Sequence, residues 1–356
     1  MINFRRPKIQ IVWWLALAAC TVGYFALKCA PQLLAQVETQ VEIVVPAFES
    51  QDKASMATIV FRAASSSSSQ WSQTEPETLK ARIVDFNATS IIYKLSTDSS
   101  IENRPSNTID SIVFSWGANE AAEADRLFAS GQYTEVILLG KTVVSGGKLP
   151  SWQQRLLVAK MVDAFWMQNQ RVIAGKLFLS LLKDSAPEIV YEFAPLVWQT
   201  TKIDSAMAEA AEAWLKETES RDAQLLGASW LLGTPRLDPA KVILEKLSQD
   251  SDSPVSQLAT AQLWRLATPK EVINKYEDWK MSRDRLPVFL QMRPSIAIAE
   301  KLERSSLKTQ ALQEYLRVVG LASMHTSVDR QARDRAADIL RSLNRADEAN
   351  LISKFP

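Results

Sequence analysis

Few residues in this chain have the types and spacing that catalysis requires. His325 is the single histidine, and its Ser/Thr-rich surroundings predict a loop residue rather than a metal ligand or a catalytic base. Gly146-Gly147 lacks the Gly-Lys-Ser/Thr that completes a phosphate-binding loop. Both cysteines, Cys20 and Cys29, lie near the N-terminus, so the remainder has neither a disulfide framework nor a cysteine-rich metal site. We therefore expect no cofactor and no metal.

Two carboxylates are the best candidates for acid–base chemistry. Asp163 and Glu192 each lie among apolar residues, where burial raises the pKa of a carboxyl, and a glycosidase uses such a pair. The alternative is that both face a groove or solvent. Helical enzymes usually need several more polar catalytic residues than this chain offers. We therefore expect a binding protein rather than an enzyme.

Aromatic residues recur at a nearly fixed interval in the middle of the chain. Trp166, Trp198, Trp230 and Trp264 are separated by 32, 32 and 34 residues, and a helix-breaking segment follows each of them. A period of this length predicts a stack of helix pairs, because one pair cannot bury its apolar face without a neighbour.

The first predicted pair carries a family resemblance. Ala124, Leu127, Gly131 and Tyr133 stand at the spacing of the tetratricopeptide repeat, with the glycine in the turn between the helices. The resemblance implies a mainly α protein, in which a divergent α-solenoid of about seven helical hairpins fills residues 117–356. The turn position of Gly131 is held in five other units by Asn169, Thr201, Gly233, Ala267 and Asn344. Pro195 lies in the first helix of the third unit and predicts that this helix kinks or starts late.

The aromatic series predicts a binding surface as well as a fold. In tetratricopeptide-like stacking the first helix of each pair lines the concave side, and the corresponding position is held by Phe128, Trp166, Trp198, Trp230 and Trp264. Residues four or seven positions apart share a helical face, which predicts that Asp125 and Asp163 lie beside these rings. The alternative is that each ring packs between neighbouring first helices as ordinary core.

Residues 36–116 are predicted to form a small β-barrel or sandwich. Alternating and β-branched stretches at 37–45, 58–61, 79–86, 89–95 and 108–114 predict five short strands. A serine run at 65–69 predicts a solvated loop, and residues 98–107, with Pro105, predict a longer loop before the last strand. The region resembles SH3-like or Sm-like barrels in size and rhythm.

Residues 1–35 are predicted to target the chain to a membrane. Arg5, Arg6 and Lys8 precede an uncharged apolar run at 9–27, which is long enough to span a bilayer as a helix. The positive-inside rule then places the N-terminus in the cytoplasm and the bulk of the chain outside it. An uncleaved anchor, a cleaved signal peptide and a lipoprotein modified at Cys20 are the three alternatives.

The charge balance excludes one class of partner. The chain has 41 basic and 40 acidic residues, and four of the basic residues lie in the first 28 positions, which hold no acid. The rest has a slight acidic excess and no overall footprint for nucleic acid. These observations favour a membrane-tethered extracytoplasmic scaffold, periplasmic in a bacterium, that binds a protein or peptide partner and could be a subunit of a membrane complex. The alternative is a protein that binds or processes cell-wall glycan through its tryptophan-rich helices.

Overall fold

The computed structural model describes residues 55–62, 76–95, 100–199, 203–249, 253–321 and 327–354. All of them belong to one compact unit, Pro46–Pro356. The predicted membrane segment, the predicted strand at 37–45, the serine run, Thr201 and His325 lie outside the described residues.

Five antiparallel strands form one sheet. They are β1 Ser55–Phe61, β2 Glu77–Phe86, β3 Ser90–Leu95, β4 Ile101–Pro105 and β5 Ile109–Phe114, in the order β4-β3-β2-β1-β5. Four of them confirm predicted strands. The loop predicted at 98–107 is wrong over β4, because Pro105 is the last residue of an edge strand, where its missing N–H breaks little of the ladder.

The strand order brings the two edges of the sheet together. Strands β4 and β5 stand at opposite ends of the order, yet only the 3-10 turn Ser106–Thr108 separates them in the chain. The Arg104 guanidinium of β4 lies 4.4 Å from the centre of the Phe61 ring of β1, and it is paired with Glu77 of β2. A sheet curled in this way fits the barrel alternative better than the sandwich.

The rest of the described chain is helical, which confirms the predicted mainly α fold with a small β region. Its thirteen α-helices are α1 Asn119–Ala129, α2 Tyr133–Ser145, α3 Ser151–Met167, α4 Arg171–Lys183, α5 Ser205–Leu215, α6 Arg221–Leu231, α7 Leu237–Ser248, α8 Pro254–Leu263, α9 Pro269–Asp284, α10 Val288–Arg304, α11 Lys308–Leu321, α12 Ser327–Ser342 and α13 Ala346–Lys354. Within these described residues, no helix combines the length and the apolar character that crossing a membrane requires.

Positive backbone φ angles mark the turns inside several helix pairs. Gly131 has φ 76°, Asn169 has φ 59° and Asn344 has φ 60°, which confirms three turn positions inferred from the repeat. Glycine and asparagine adopt this left-handed conformation at low cost, so they end a first helix and let the second fold back. Ser306, in the turn between α10 and α11, also has a positive φ of 62°, although a serine does not by itself predict this conformation.

The third unit departs from the pattern. Its predicted first helix is absent: a 3-10 helix at Glu188–Phe193 comes before Pro195, and non-helical backbone follows to Gln199. Side chains of α6 satisfy the polar backbone that a helix would have paired. The Trp230 indole donates to the Pro195 carbonyl at 2.7 Å, and the Ser229 hydroxyl accepts from the Val197 N–H at 2.9 Å. The position of the disruption was predicted, but its extent was not.

The helical array folds back on itself. Arg293 of α10 pairs with Asp163 of α3 at 3.0 Å, and Arg330 of α12 donates to the Ala129 carbonyl at the end of α1 at 3.2 Å. Helix α10 also packs against the 3-10 helix Glu188–Phe193 and strand β5. The helices therefore form a closed bundle, in which α10 lies between the early units and the sheet.

Candidate functional site

The aromatic residues of the predicted surface are mostly buried. Phe128 and Trp230 are 1% and 0% exposed, Trp198 and Trp264 are each 8% exposed, and Trp166 is half-buried. A ring without an exposed face cannot contact a partner in this conformation. The burial of Phe128 and Trp230 therefore favours core packing at those two positions, while the predicted binding role remains a prediction.

The tryptophans form small clusters, either within one helix pair or between pairs, rather than one continuous stripe. The Trp230 ring centroid lies 5.9 Å from that of Trp166 and 4.9 Å from that of Trp214. Trp264 instead stacks on Trp279 of α9, with centroids 5.7 Å apart. Rings packed in this manner contribute mainly to the stability of the array.

The two predicted aspartates belong to a charge cluster, formed by Asp125, Lys160, Asp163, Glu192 and Arg293, which is largely buried except at Asp125, whose side chain is 37% exposed. Asp163 is 1% exposed, and its Oδ1 accepts from the Arg293 Nη2 at 3.0 Å. The Arg293 Nε donates to the Glu192 carbonyl at 3.1 Å. Asp125 accepts from Lys160 and also from the Trp116 indole at 3.0 Å. The structure thus brings Asp125 and Asp163 into one cluster, with cations that the sequence argument missed.

Glu192 is the unusual member of this cluster. Burial raises the pKa of its carboxyl to about 8 and Asp163 adds to the rise, while Lys160 and Arg293 oppose it. Its buried Oε1 has no hydrogen-bond donor within the described chain. The adjoining cavity between β5, the 3-10 helix and α10 has a volume of about 10 Å³, which holds one water molecule and not a sugar ring. The Asp163 and Glu192 carboxyl groups are therefore close, but they do not open onto a substrate-sized space.

A larger cleft lies beside Trp198. It has a volume of about 140 Å³. Its walls are formed by Trp198 and Gln199, by the segments that follow helices α6 and α8, and by one face of α10. We call it the Trp198 cleft; its walls include Trp198, Gly233, Arg265, Glu300, Lys301 and Arg304. Of the predicted surface residues, this cleft contains Trp198.

Three cations line the Trp198 cleft. The Arg265 Nη1 donates to the Ser229 carbonyl at 2.9 Å and to the Gln262 Oε1 at 2.6 Å, and the Lys301 Nζ donates to the Ala267 carbonyl at 2.9 Å. Burial lowers the pKa of Arg265 to about 10 and also lowers that of Lys301. Arg304 is exposed. The first two cations are thus held in place by hydrogen bonds to neutral backbone and amide oxygens, while the carboxylate of Glu300 attracts both of them from nearby.

One carboxyl faces these cations. Burial raises the pKa of Glu300 to about 7, against the opposing effects of Arg304 and Arg335 and of a hydrogen bond with Gln199. The described lining of the cleft therefore carries three cations and one carboxyl that titrates near neutral pH. The buried Trp198 Nε1 has no acceptor among the described residues. An anionic group that accepts hydrogen bonds fits this arrangement.

None of the charged residues of the cleft was predicted from the sequence. Arg265 follows the repeated Trp264 directly, and Lys301 and Arg304 lie in the last turn of α10. Each is therefore at or near the end of a first helix, where a cation interacts well with free carbonyls. A comparison of the units at these ends would have found Arg265. Arg293 and Lys160 offered a weaker signal as isolated cations in largely buried helices.

Comparison of the chain with protein-family models, with curated proteins and with solved structures gave no match. The described residues define the protein at the level of its architecture, a helical bundle compatible with an α-solenoid, joined to a small antiparallel sheet.

Proposed function

We propose that this protein is a membrane-tethered extracytoplasmic scaffold that binds a protein or peptide partner through its helical-repeat surface. The predicted segment at 9–27 would hold it in the membrane, with the N-terminus in the cytoplasm, and the partner would make the protein a subunit of a membrane complex. The observation that carries the proposal is the Trp198 cleft, where three cations surround a half-buried space.

The size and charge of the cleft favour one kind of occupant. Small-molecule sites usually have volumes of roughly 300–1,000 Å³, whereas this cleft has about 140 Å³. That volume suits one side chain or chain terminus of a larger partner. Because Arg265, Lys301 and Arg304 converge there, the expected group is a carboxylate, from an acidic side chain or the end of a peptide.

Glycan binding is the second function class. A sugar platform needs an aromatic ring with an exposed face, and among the five predicted aromatic positions only Trp166 is more than 8% exposed. The Arg171 guanidinium lies 5.2 Å from the centre of the Trp166 ring, which covers part of what remains. Crosslinking to polysaccharide rather than to a protein would indicate this second class in the experiment below.

The test is site-specific photocrosslinking in intact membranes. Gly233 lies at the cleft and is exposed, and a Cβ added there would meet nothing within 4 Å, so a photoreactive benzoylphenylalanine should be tolerated. Gly320 has equally free surroundings in α11 and provides the matched control. We expect a discrete protein adduct from position 233 and none from position 320.

A charge variant then tests the cleft itself. Arg304→Glu should reduce the adduct at position 233 at least tenfold, because a carboxylate of the partner would meet a negative charge instead of a positive one. Lys216→Glu, at an exposed site at the end of α5, should leave it unchanged. An adduct of equal yield at positions 233 and 320, or an adduct with polysaccharide alone, would contradict the proposal.

A further inference from the structure

The outer face of the sheet carries a second charged surface. The register places Met56 opposite Arg82, Arg82 opposite Lys94 and Lys94 opposite Ile101, across strands β1 to β4. Two residues after Met56 on β1, Thr58 stands opposite Lys80 of β2 and Val113 of β5. Paired residues on neighbouring strands project from the same side of a sheet. We call this surface the basic sheet face; it comprises Met56, Lys80, Arg82, Lys94, Ile101 and Val113.

Among the residues that the structure describes, no acid is paired with the three cations of this face. Within the described residues, Lys80, Arg82 and Lys94 form no ion pair or hydrogen bond through their side chains. The register places Asp85 on the same side, beyond a bulge, but its carboxylate is already engaged by Arg155 of α3 and by Asn87.

The other acids of the described strands are turned to other partners. Glu77 pairs with Arg104, and Glu102 accepts from the buried Tyr93 hydroxyl at 2.7 Å. Asp110 pairs with Arg62. The described strands therefore separate their charges: their acids are engaged by neighbouring groups, and the cations of the outer face form no ion pair with any described residue.

Apolar side chains surround these cations. Met56 is 45% exposed, Val113 is 60% exposed and Ile101 is 61% exposed. Single exposed apolar residues are ordinary on a protein surface. Here, however, three of them flank a row of unpaired cations on one sheet face, which is the composition of surfaces that lie at the boundary between lipid headgroups and acyl chains.

We propose that the basic sheet face contacts an anionic bilayer surface, with its cations at the headgroup phosphates and its apolar side chains at the interfacial layer. Charge complementarity selects this occupant, since anionic lipids attract clustered cations close to a membrane. The same chain carries the predicted membrane segment at 9–27, which 27 residues separate from Ser55. That tether gives the sheet a high local concentration at the bilayer. This contact is separate from partner binding at the Trp198 cleft, although both rest on the predicted tether.

The test measures lysine reactivity in the full chain. The protein is reconstituted in vesicles of phosphatidylcholine with or without phosphatidylglycerol, and acetylation of each lysine is followed by mass spectrometry. Acetylation of Lys80 and Lys94 should slow by roughly fivefold or more in the anionic vesicles. One cation near such a surface strengthens membrane binding by about that factor. High salt should abolish this protection. Lys216, exposed at the end of α5, should react equally in both.

A charge-reversal variant separates this contact from tethering and from partner binding. Arg82→Glu should remove the protection of Lys80 and Lys94 while the chain stays in the vesicles and the crosslink at position 233 persists. Lys216→Glu should keep the protection. Equal reactivity of Lys80 in both vesicle types, or its protection by vesicles without anionic lipid, would overturn the proposal. Protection by an oligonucleotide but not by anionic vesicles would also overturn it, because the occupant would then be a nucleic acid.

Discussion

The charge cluster and the Trp198 cleft contain similar groups in different settings. Each has two or more cations and one carboxyl whose pKa burial raises toward or above neutrality, to about 8 for Glu192 and about 7 for Glu300. In the cluster, Arg293 and Lys160 are paired with the carboxylates of Asp163 and Asp125. In the cleft, Arg265 and Lys301 are bound to neutral carbonyl oxygens.

This difference decides what each region can do. Carboxylates neutralise the cations of the cluster, and the adjoining cavity has a volume of only about 10 Å³. The Asp163–Arg293 pair of the cluster joins helices α3 and α10, and its two residues are 130 positions apart in the sequence. The cleft keeps its positive charge and about 14 times that volume. The charges of the cluster are thus satisfied within the bundle, whereas the cations of the cleft are available to the proposed partner.

The largest expected effect comes from breaking the cluster. Arg293→Met would remove the cation that is paired with the Asp163 carboxylate, which is 1% exposed, so the free energy of unfolding in urea should fall by about 3–5 kcal/mol. Adding Asp163→Leu should recover most of the loss, because the pair is then replaced by apolar groups. As a control, Arg345→Met removes the exposed pair with Glu348 and should cost less than about 1 kcal/mol. If Arg293→Met alone is as stable as the parent, the Asp163–Arg293 pair does not hold the bundle closed.

A smaller effect should come from the titration of Glu192. Its carboxyl has a raised pKa in the folded chain, so the folded state binds the proton more tightly than the unfolded state. The associated stability is complete below the unfolded pKa of about 4.3 and is lost as pH rises through about 8. Glu192→Gln mimics the protonated form and should raise the free energy of unfolding at pH 9 by on the order of 1–3 kcal/mol relative to the parent. The two proteins should converge near pH 5.

The urea denaturation curves at several pH values measure this difference. Glu245→Gln, at a solvated position in α7 paired with Lys241, provides the control and should not change the pH dependence. If Glu192→Gln and the parent lose stability in parallel between pH 5 and pH 9, Glu192 does not titrate in that range.

The repeat and the strands were largely predictable from sequence because they depend on local patterns. Gly131, Asn169 and Asn344 mark turns through backbone preferences that each residue carries by itself. Strand β4 was missed because Ile101–Pro105 contains three polar residues and a proline, and its pairing with β3 follows from the curled sheet rather than from its own composition.

The two charged regions were much less predictable. Arg293 meets Asp163 only because the bundle closes, and no local pattern near either residue encodes that contact. Asp125 and Asp163 were chosen for their spacing from Phe128 and Trp166, and their cations remained unidentified. For the same reason the cleft was represented by Trp198 alone. Its charges come from the 3-10 helix Trp264–Leu266, which follows α8, and from α10. These segments belong to two different units, so the charges are visible only once those units are placed side by side.

The smallest expected effect on stability, and the one that best separates the two regions, concerns Glu300. Glu300→Gln should change the free energy of unfolding at pH 7 by less than about 1 kcal/mol, because Gln331 and Gln199 also contact this group and the cleft is open to water.

Partner capture at position 233 should respond more strongly to the charge of Glu300 than stability does. As pH falls through about 7, protonation of Glu300 removes the one negative charge of the cleft's described lining. The parent should therefore give a higher crosslink yield at pH 6 than at pH 8. Glu300→Gln is neutral at both values and should give the higher yield at both. The yield from a Glu245→Gln control should follow the parent. If the parent's yield does not change with pH, or rises with it, the occupant of the Trp198 cleft is not an anion, and the contrast between a stabilising cluster and a binding cleft would fail at its binding side.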